Sequence, residues 1–194
     1  MMLKGDVSMS AAPQLEPEMI TLPEYELLPE ERRAEVFEGV VYDMSSPSRV
    51  HQTILGELFA QIHSYLRKKG GNCSVFPAPF DVKLRDNPLT IVQPDLMVVC
   101  DKNKLDDKRC NGAPDFIIEI VSPGNPANDY IRKLYYYQKA GVREYWIVDP
   151  LREAVFVNYF EENIISEQHS FASTIKVNIC DALSIDFADI AALL

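Results

Sequence analysis

Apolar residues recur at helical spacing between Arg49 and Lys69, where Ile54, Leu55, Leu58, Phe59, Ile62 and Leu66 make one stripe. Ser48 can cap the start of that helix and Gly70-Gly71 closes it. A second helical pattern places Tyr130, Lys133, Leu134 and Tyr137 on one face, with Asn128 as the cap and Gly141 beyond the end near Ala140. Between these, the pattern changes to short β-branched and apolar runs. Gln93–Cys100 and Pro114–Val121 read as buried strands, and Val142–Val148 as a third, stopped by Asp149-Pro150. Val36–Tyr42 around Gly39 reads as a hairpin, and so do the arms Ala154–Phe160 and Ile164–Ser170.

Further strand-like stretches lie at Cys73–Phe76, Phe80–Leu84 and Ile91–Gln93. Thr21–Glu26 reads as an extended lead-in, Pro29–Arg33 as a short helix, and Asp101–Gly112 as a charged loop with room for one helical turn. The tail carries a strand at Leu183–Asp186 and a last short helix. Residues 1–20 lack periodicity and are expected to form a loosely attached arm, with residues 21–194 as one domain. Helix, strands, helix and strand in this order predict an α/β sandwich, a central mixed β-sheet flanked by helices.

Composition narrows the picture. A chain of 194 residues, 47% hydrophobic and 25% charged, suits one domain with a sizeable core. No apolar run approaches the roughly 20 residues of a membrane span, and the first residues lack the pattern of a signal peptide, so the expected location is cytoplasmic. The cysteines Cys73, Cys100, Cys110 and Cys180 show no metal-ligand spacing. They are expected to be free structural thiols, as the cytosol favours. The net charge of −10 argues against a broad surface that grips a polyphosphate chain. Arg67–Lys69 and Lys102–Arg109 are the local basic stretches, better read as a solvated helix end and a charged loop.

The candidate chemistry lies in the two organising strands. Asp95 heads one, and Glu119 is the only charge in the run Phe116–Val121. An ionised carboxylate in apolar surroundings is costly unless paired or bound to a metal. Alternation puts Phe116, Ile118 and Ile120 on one face and Ile117, Glu119 and Val121 on the other. If a neighbouring strand places Asp95 beside Glu119, the two carboxylates and the backbone carbonyl of Ile120 offer the hard oxygen ligands that Mg²⁺ or Mn²⁺ prefers. Otherwise Asp95 caps a turn and Glu119 pairs with an arginine. Lys133 sits within a buried helical stripe, where it needs an acidic partner or a wet pocket, unless it reaches outward or pairs with Asp129. His51, in the first turn of the long helix, reads more readily as a hydrogen-bonded structural residue than as a catalytic one.

An aspartate about 24 residues before a glutamate, with a lysine after it, resembles the PD-(D/E)xK nuclease superfamily, with Val121 where the lysine normally stands. Glu35–Gly39, Met44–Pro47 with His51, Pro94-Asp95, Glu119–Pro123, Asp129 to Lys133 and Gly141–Pro150 together resemble the Uma-two family of that superfamily. The resemblance runs from about residue 21 to the C-terminus. It implies the restriction-endonuclease-like fold, Asp95 and Glu119 as ligands to Mg²⁺ or Mn²⁺, and Lys133 as a relocated catalytic lysine. Glu35 and His51 match further family motif positions. The expected activity is metal-dependent hydrolysis of phosphodiester bonds in nucleic acid, with DNA as the partner and a homo-oligomer as the assembly. Two alternatives stand beside it. One is a non-catalytic module that keeps the fold for oligomerisation or partner binding, and the other is hydrolysis of a small phosphoester.

Overall fold

The computed structural model describes residues 19–29, 31–123, 126–161 and 165–194. In chain order the elements are α1 (Leu22–Tyr25), β1 (Ala34–Phe37), β2 (Val40–Asp43), α2 (Arg49–Lys69), β3 (Ser74–Pro77), β4 (Asp81–Asp86), β5 (Leu89–Val92) and β6 (Leu96–Val99). They continue with β7 (Arg109–Asn111), β8 (Phe116–Ile120), α3 (Leu134–Ala140), β9 (Glu144–Asp149), β10 (Ala154–Tyr159), β11 (Ile165–Ser170), β12 (Thr174–Lys176), β13 (Ser184–Asp186) and α4 (Phe187–Ala191). A π-helical turn, Asn128–Lys133, leads directly into α3.

The α/β class holds, with the strands divided between two main sheets. One has the order β2-β1-β5-β4-β7, the other β11-β10-β9-β8-β6-β3, and β12-β13 form a small ribbon. Both large sheets are mixed, because β4 runs parallel to β7 and β8 parallel to β9. The β8–β9 pair is joined by the π-turn and α3, the crossover that a parallel pair requires.

The alternation read in β8 divides the core. Phe116, Ile118 and Ile120 pack with Trp146 and with the α2 stripe of Ile54, Leu55, Leu58, Ile62 and Leu66. Ile117 and Val121 face the other way, against Tyr137 of α3 and against Phe37, Val82 and Val92 of the five-stranded sheet. The six-stranded sheet is therefore buried on both faces. Its central strands are apolar throughout apart from positions with a polar task.

Some local expectations are corrected. The short helix forms at Leu22–Tyr25 rather than Pro29–Arg33, because the Glu24 carboxylate accepts the Thr21 N–H and hydroxyl, both at 2.7 Å. The thiol expectation fails at two cysteines. Ser74 pairs with Val99, so the next antiparallel pair is Cys73 with Cys100, and these form a disulfide. Cys110 and Cys180 are free and buried. The expected arm lies mostly outside the described residues. Of its last positions, Ile20 is held by its N–H donating to the Gly39 carbonyl at 2.8 Å. Gly39 turns the β1–β2 hairpin with Glu38, both at positive φ (83° and 50°), the two-residue turn that suits the strand twist. Among the described residues, no helix is long and apolar enough to cross a membrane.

Candidate active site

The site forms where the chain passes from one sheet to the other. β5 belongs to the five-stranded sheet and β6 to the six-stranded one, and Gln93-Pro94-Asp95 is the link between them. Asp95 is fixed there by two donors on one oxygen. Its Oδ2 accepts the Ile120 N–H at 2.8 Å and lies 3.0 Å from His51 Nε2. The register explains the first bond. Pairing of β6 with β8 ends at Leu96 and Ile118, so Ile120 lies past the ladder and its N–H needs another acceptor. The N–H and C=O of one strand residue point to the same side, which turns the Ile120 carbonyl toward the same gap. His51 arrives from the start of α2, where Ser48 Oγ accepts its backbone N–H at 3.2 Å.

Glu119 stands on the face of β8 that looks toward the five-stranded sheet, and Glu35 shares the β1 face that carries Phe37. Between them lies Lys133, delivered by the π-turn. Its Nζ is 2.9 Å from Glu119 Oε1, 2.9 Å from Glu35 Oε1 and 3.8 Å from Asp129 Oδ1. Lys133 and Glu119 are each only 3% exposed. Tyr137, four residues along the helix from Lys133, donates its hydroxyl to Glu119 Oε1 at 2.6 Å. Glu35 Oε1 also accepts the Gln93 N–H at 3.1 Å, and Glu119 Oε2 accepts only a long bond, 3.4 Å, from the Asp95 N–H. Sequence reasoning thus placed Glu35, His51, Asp95, Glu119, Ile120 and Lys133, and all line or border one cavity of about 580 Å³. It missed Tyr137 and Gln93 as contributors and gave Asp129 as a family motif position and as an alternative partner for Lys133. The signal for the first lay in the spacing of Asp129, Lys133 and Tyr137, four apart on one face.

Acids outnumber bases here, and that governs the electrostatics. Glu35, Asp95, Glu119 and Asp129 face one ammonium. Burial pushes Glu119 well above the usual carboxylate range; Lys133 opposes this, and Asp95, Asp129 and Glu35 add to it. Asp129 is raised to about 6, again by burial first, against the pull of Lys133. Burial disfavours the Lys133 ammonium, but Glu119, Glu35, Asp129 and Asp95 together outweigh it and hold it well above the usual lysine value. Tyr137 is driven up by burial and by Glu119 beside it.

This donor set suits a hard divalent cation. The protein's own bonds concentrate on Asp95 Oδ2 and Glu119 Oε1, leaving each acid a second oxygen, and the Ile120 carbonyl faces the same gap. Among the described residues, no group of three or more His, Cys, Asp or Glu side chains is placed to hold a metal, so the backbone would have to complete the set. His51 Nδ1 is buried without a hydrogen-bond partner among the described residues.

The sequence matches the profile of the Uma2 family, described as "Putative restriction endonuclease", over residues 22–192. None of the curated proteins matches the chain. Among solved structures, the fold is similar to that of a protein from Anabaena variabilis ATCC 29413, described as a putative nuclease belonging to DUF820. The two share 23% identity with a TM-score of 0.74, covering 89% of this chain and 98% of that one.

Proposed function

The chain belongs to the Uma2 family, and from that premise and the geometry of its site we propose that it is a metal-dependent endonuclease hydrolysing phosphodiester bonds of nucleic acid. The observation that carries the reading is the buried ammonium of Lys133, 2.9 Å from both Glu119 and Glu35, in a cavity that also takes in Asp95. A buried charge cluster with carboxylate pKa values driven upward in a cleft marks a candidate reaction site.

Asp95, Glu119 and the carbonyl of Ile120 would hold Mg²⁺ or Mn²⁺. When bound, the ion supplies Lewis-acid polarisation of a phosphoryl oxygen and acidifies the attacking water. The protein's side chains do the positioning. His51 and the Ile120 N–H fix the orientation of Asp95, and Lys133 and Tyr137 fix Glu119. Glu35 anchors Lys133, whose charge offsets the negative charge that builds on a phosphoryl oxygen as it is attacked.

The reading is tested by measuring Mg²⁺- or Mn²⁺-dependent cleavage of single- and double-stranded DNA and RNA by the wild type, Asp95→Ala and Lys133→Ala. Cleavage confined to the wild type is expected; activity that survives both substitutions sinks the assignment. Titration calorimetry with Mn²⁺ separates the reading from a non-catalytic scaffold. Stoichiometric uptake that is lost in Glu119→Gln is expected, and no uptake by the wild type favours the scaffold.

A further inference from the structure

A second cavity, of about 560 Å³, lies beside the first and shares Ser45, His51 and Ser122 with it, so the two adjoin. Their characters differ. The first is built of charge, whereas the second is walled by Val50, Val121, Pro123, Pro150, Leu151 and Phe171. Leu151 is 76% exposed at its rim, an apolar side chain left in water where nothing in the fold requires it. His51 lines both. Its Nε2 is engaged by Asp95, while its Nδ1 is the buried nitrogen without a protein partner. An apolar slot with one unanswered polar atom is the usual form of a small-ligand site.

The first cavity carries a second unassigned feature. Arg33 and Arg132 line it and do not line the apolar slot. The Arg132 guanidinium lies over two rings, 4.2 Å from the centre of Tyr42 and 5.3 Å from that of Phe37, and its hydrogen bond goes to the neutral Asn128 at 3.4 Å. Arg33 Nε donates to the neutral Gln93 Oε1 at 3.2 Å. Among the described residues neither arginine has a carboxylate within ion-pair distance, although the chain is strongly acidic and five acids, Glu35, Asp43, Asp95, Glu119 and Asp129, share their cavity. A guanidinium braced on aromatic rings and without a counter-charge is arranged to receive an anion with two N–H groups at once.

We propose that the substrate is an unpaired nucleotide strand. Arg33 and Arg132 hold backbone phosphate on one side of the Asp95–Glu119–Lys133 centre, and an unstacked base enters the apolar slot past His51. The inference rests on the nuclease reading and gives its substrate class. It also reconciles that reading with the net charge of −10. A duplex reader needs a broad basic face, and the basic stretches of this chain lie elsewhere. Arg67–Lys69 end α2, about 24–27 Å along the helix from His51 by its rise of about 1.5 Å per residue. Lys108 and Arg109 are paired with Glu26. Two arginines suffice for a strand gripped at one or two phosphates, provided that burial of a base supplies the rest. A base in a duplex is stacked and paired and cannot reach a slot behind the catalytic centre unless it is flipped out.

Binding is measured by fluorescence anisotropy of a labelled oligonucleotide on the full chain with Ca²⁺ in place of Mg²⁺, so that the result does not depend on cleavage. The probes are a single strand, the same sequence as a duplex, and the single strand with abasic sites throughout. The single strand should bind at least tenfold tighter than the other two. Its log K should fall with log salt at a slope of about −1.4, the value for two phosphate contacts on a single strand, and Arg132→Gln should bring that near −0.7. Leu151→Gln, at an exposed position and without a change of charge, should weaken the single strand about tenfold while leaving the thermal midpoint and the abasic probe unchanged. Equal affinity for duplex and single strand, no binding of any oligonucleotide, or an unchanged affinity in Leu151→Gln would each overturn the proposal. Single-strand binding as described without cleavage in Mg²⁺ or Mn²⁺ would instead fail the nuclease reading and leave the strand site standing.

Discussion

Replacing Lys133 by methionine keeps the apolar stem and removes the charge, which isolates what the ammonium does. At 2.9 Å and an effective dielectric of about 20, each of its pairs with Glu35 and Glu119 is worth roughly 6 kcal/mol of gross Coulomb attraction. Desolvation of the buried charges cancels much of that, so the net cost of breaking the cluster should be about 3–5 kcal/mol. The sign of its pH dependence follows from the carboxylates. Lys133 pulls the pKa values of Glu119 and Asp129 down against burial, so its removal lifts them further above their unfolded values. A raised carboxylate contributes its stability below the unfolded pKa and loses it as pH rises through the folded one. Lys133→Met should therefore lose most at pH 8 and clearly less at pH 5. The chain's single tryptophan, Trp146, is fully buried and reports unfolding, so urea titration in EDTA at the two pH values gives both numbers. A loss under about 1 kcal/mol at pH 8, or the same loss at both pH values, would refute the charge argument, since a buried pair broken on one side is expected to cost several times that.

Three further outcomes follow from single positions. Asp129, raised to about 6, contributes stability below its unfolded value and loses it as pH rises through 6; the stability of Asp129→Asn relative to wild type in EDTA should thus improve between pH 4 and pH 8, by on the order of 2 kcal/mol. Gly39→Ala should destabilise the domain by about 1–2 kcal/mol through the left-handed backbone alone, with more added because a Cβ there would come within 2.7 Å of Met19; thermal melts of the two proteins decide it. Burial pushes the Cys110 thiol up to about 11, so a thiol reagent at pH 8 should leave it unmodified in the native protein and label it promptly in urea, as mass spectrometry will show.

How much of this was readable beforehand depended on the range of the signal. The α2 stripe and the alternation in β8 are set by local periodicity, and both appear in the structure as read. Glu119 and Lys133 were legible because a charge inside an apolar pattern stands out. The division of the strands between two sheets was not, since β5 and β6 are separated only by Gln93-Pro94-Asp95 and the change of sheet is a tertiary event. The Cys73–Cys100 bond escaped for the same reason: it follows from the β3–β6 register and leaves no trace in cysteine spacing. The misplaced first helix was a different error. Thr21 and Glu24 already spelled the capping signal, and the proline at position 29 was given more weight than it deserved. Arg132 went unnoticed because its meaning lies in what it lacks, a nearby acid.

Val121 occupies the strand position two residues after Glu119, and it is buried in the core cluster of Ile117, Tyr137 and Ile147. The buried ammonium nearby is that of Lys133, held by oxygens from β1, β8 and the π-turn. Lys133 thus reaches the strand carboxylate Glu119 from the turn that follows β8, and not from β8 itself. A pattern search that demands acid and lysine on one strand would pass over this chain. A search for any buried amine within reach of the two strand carboxylates would find it.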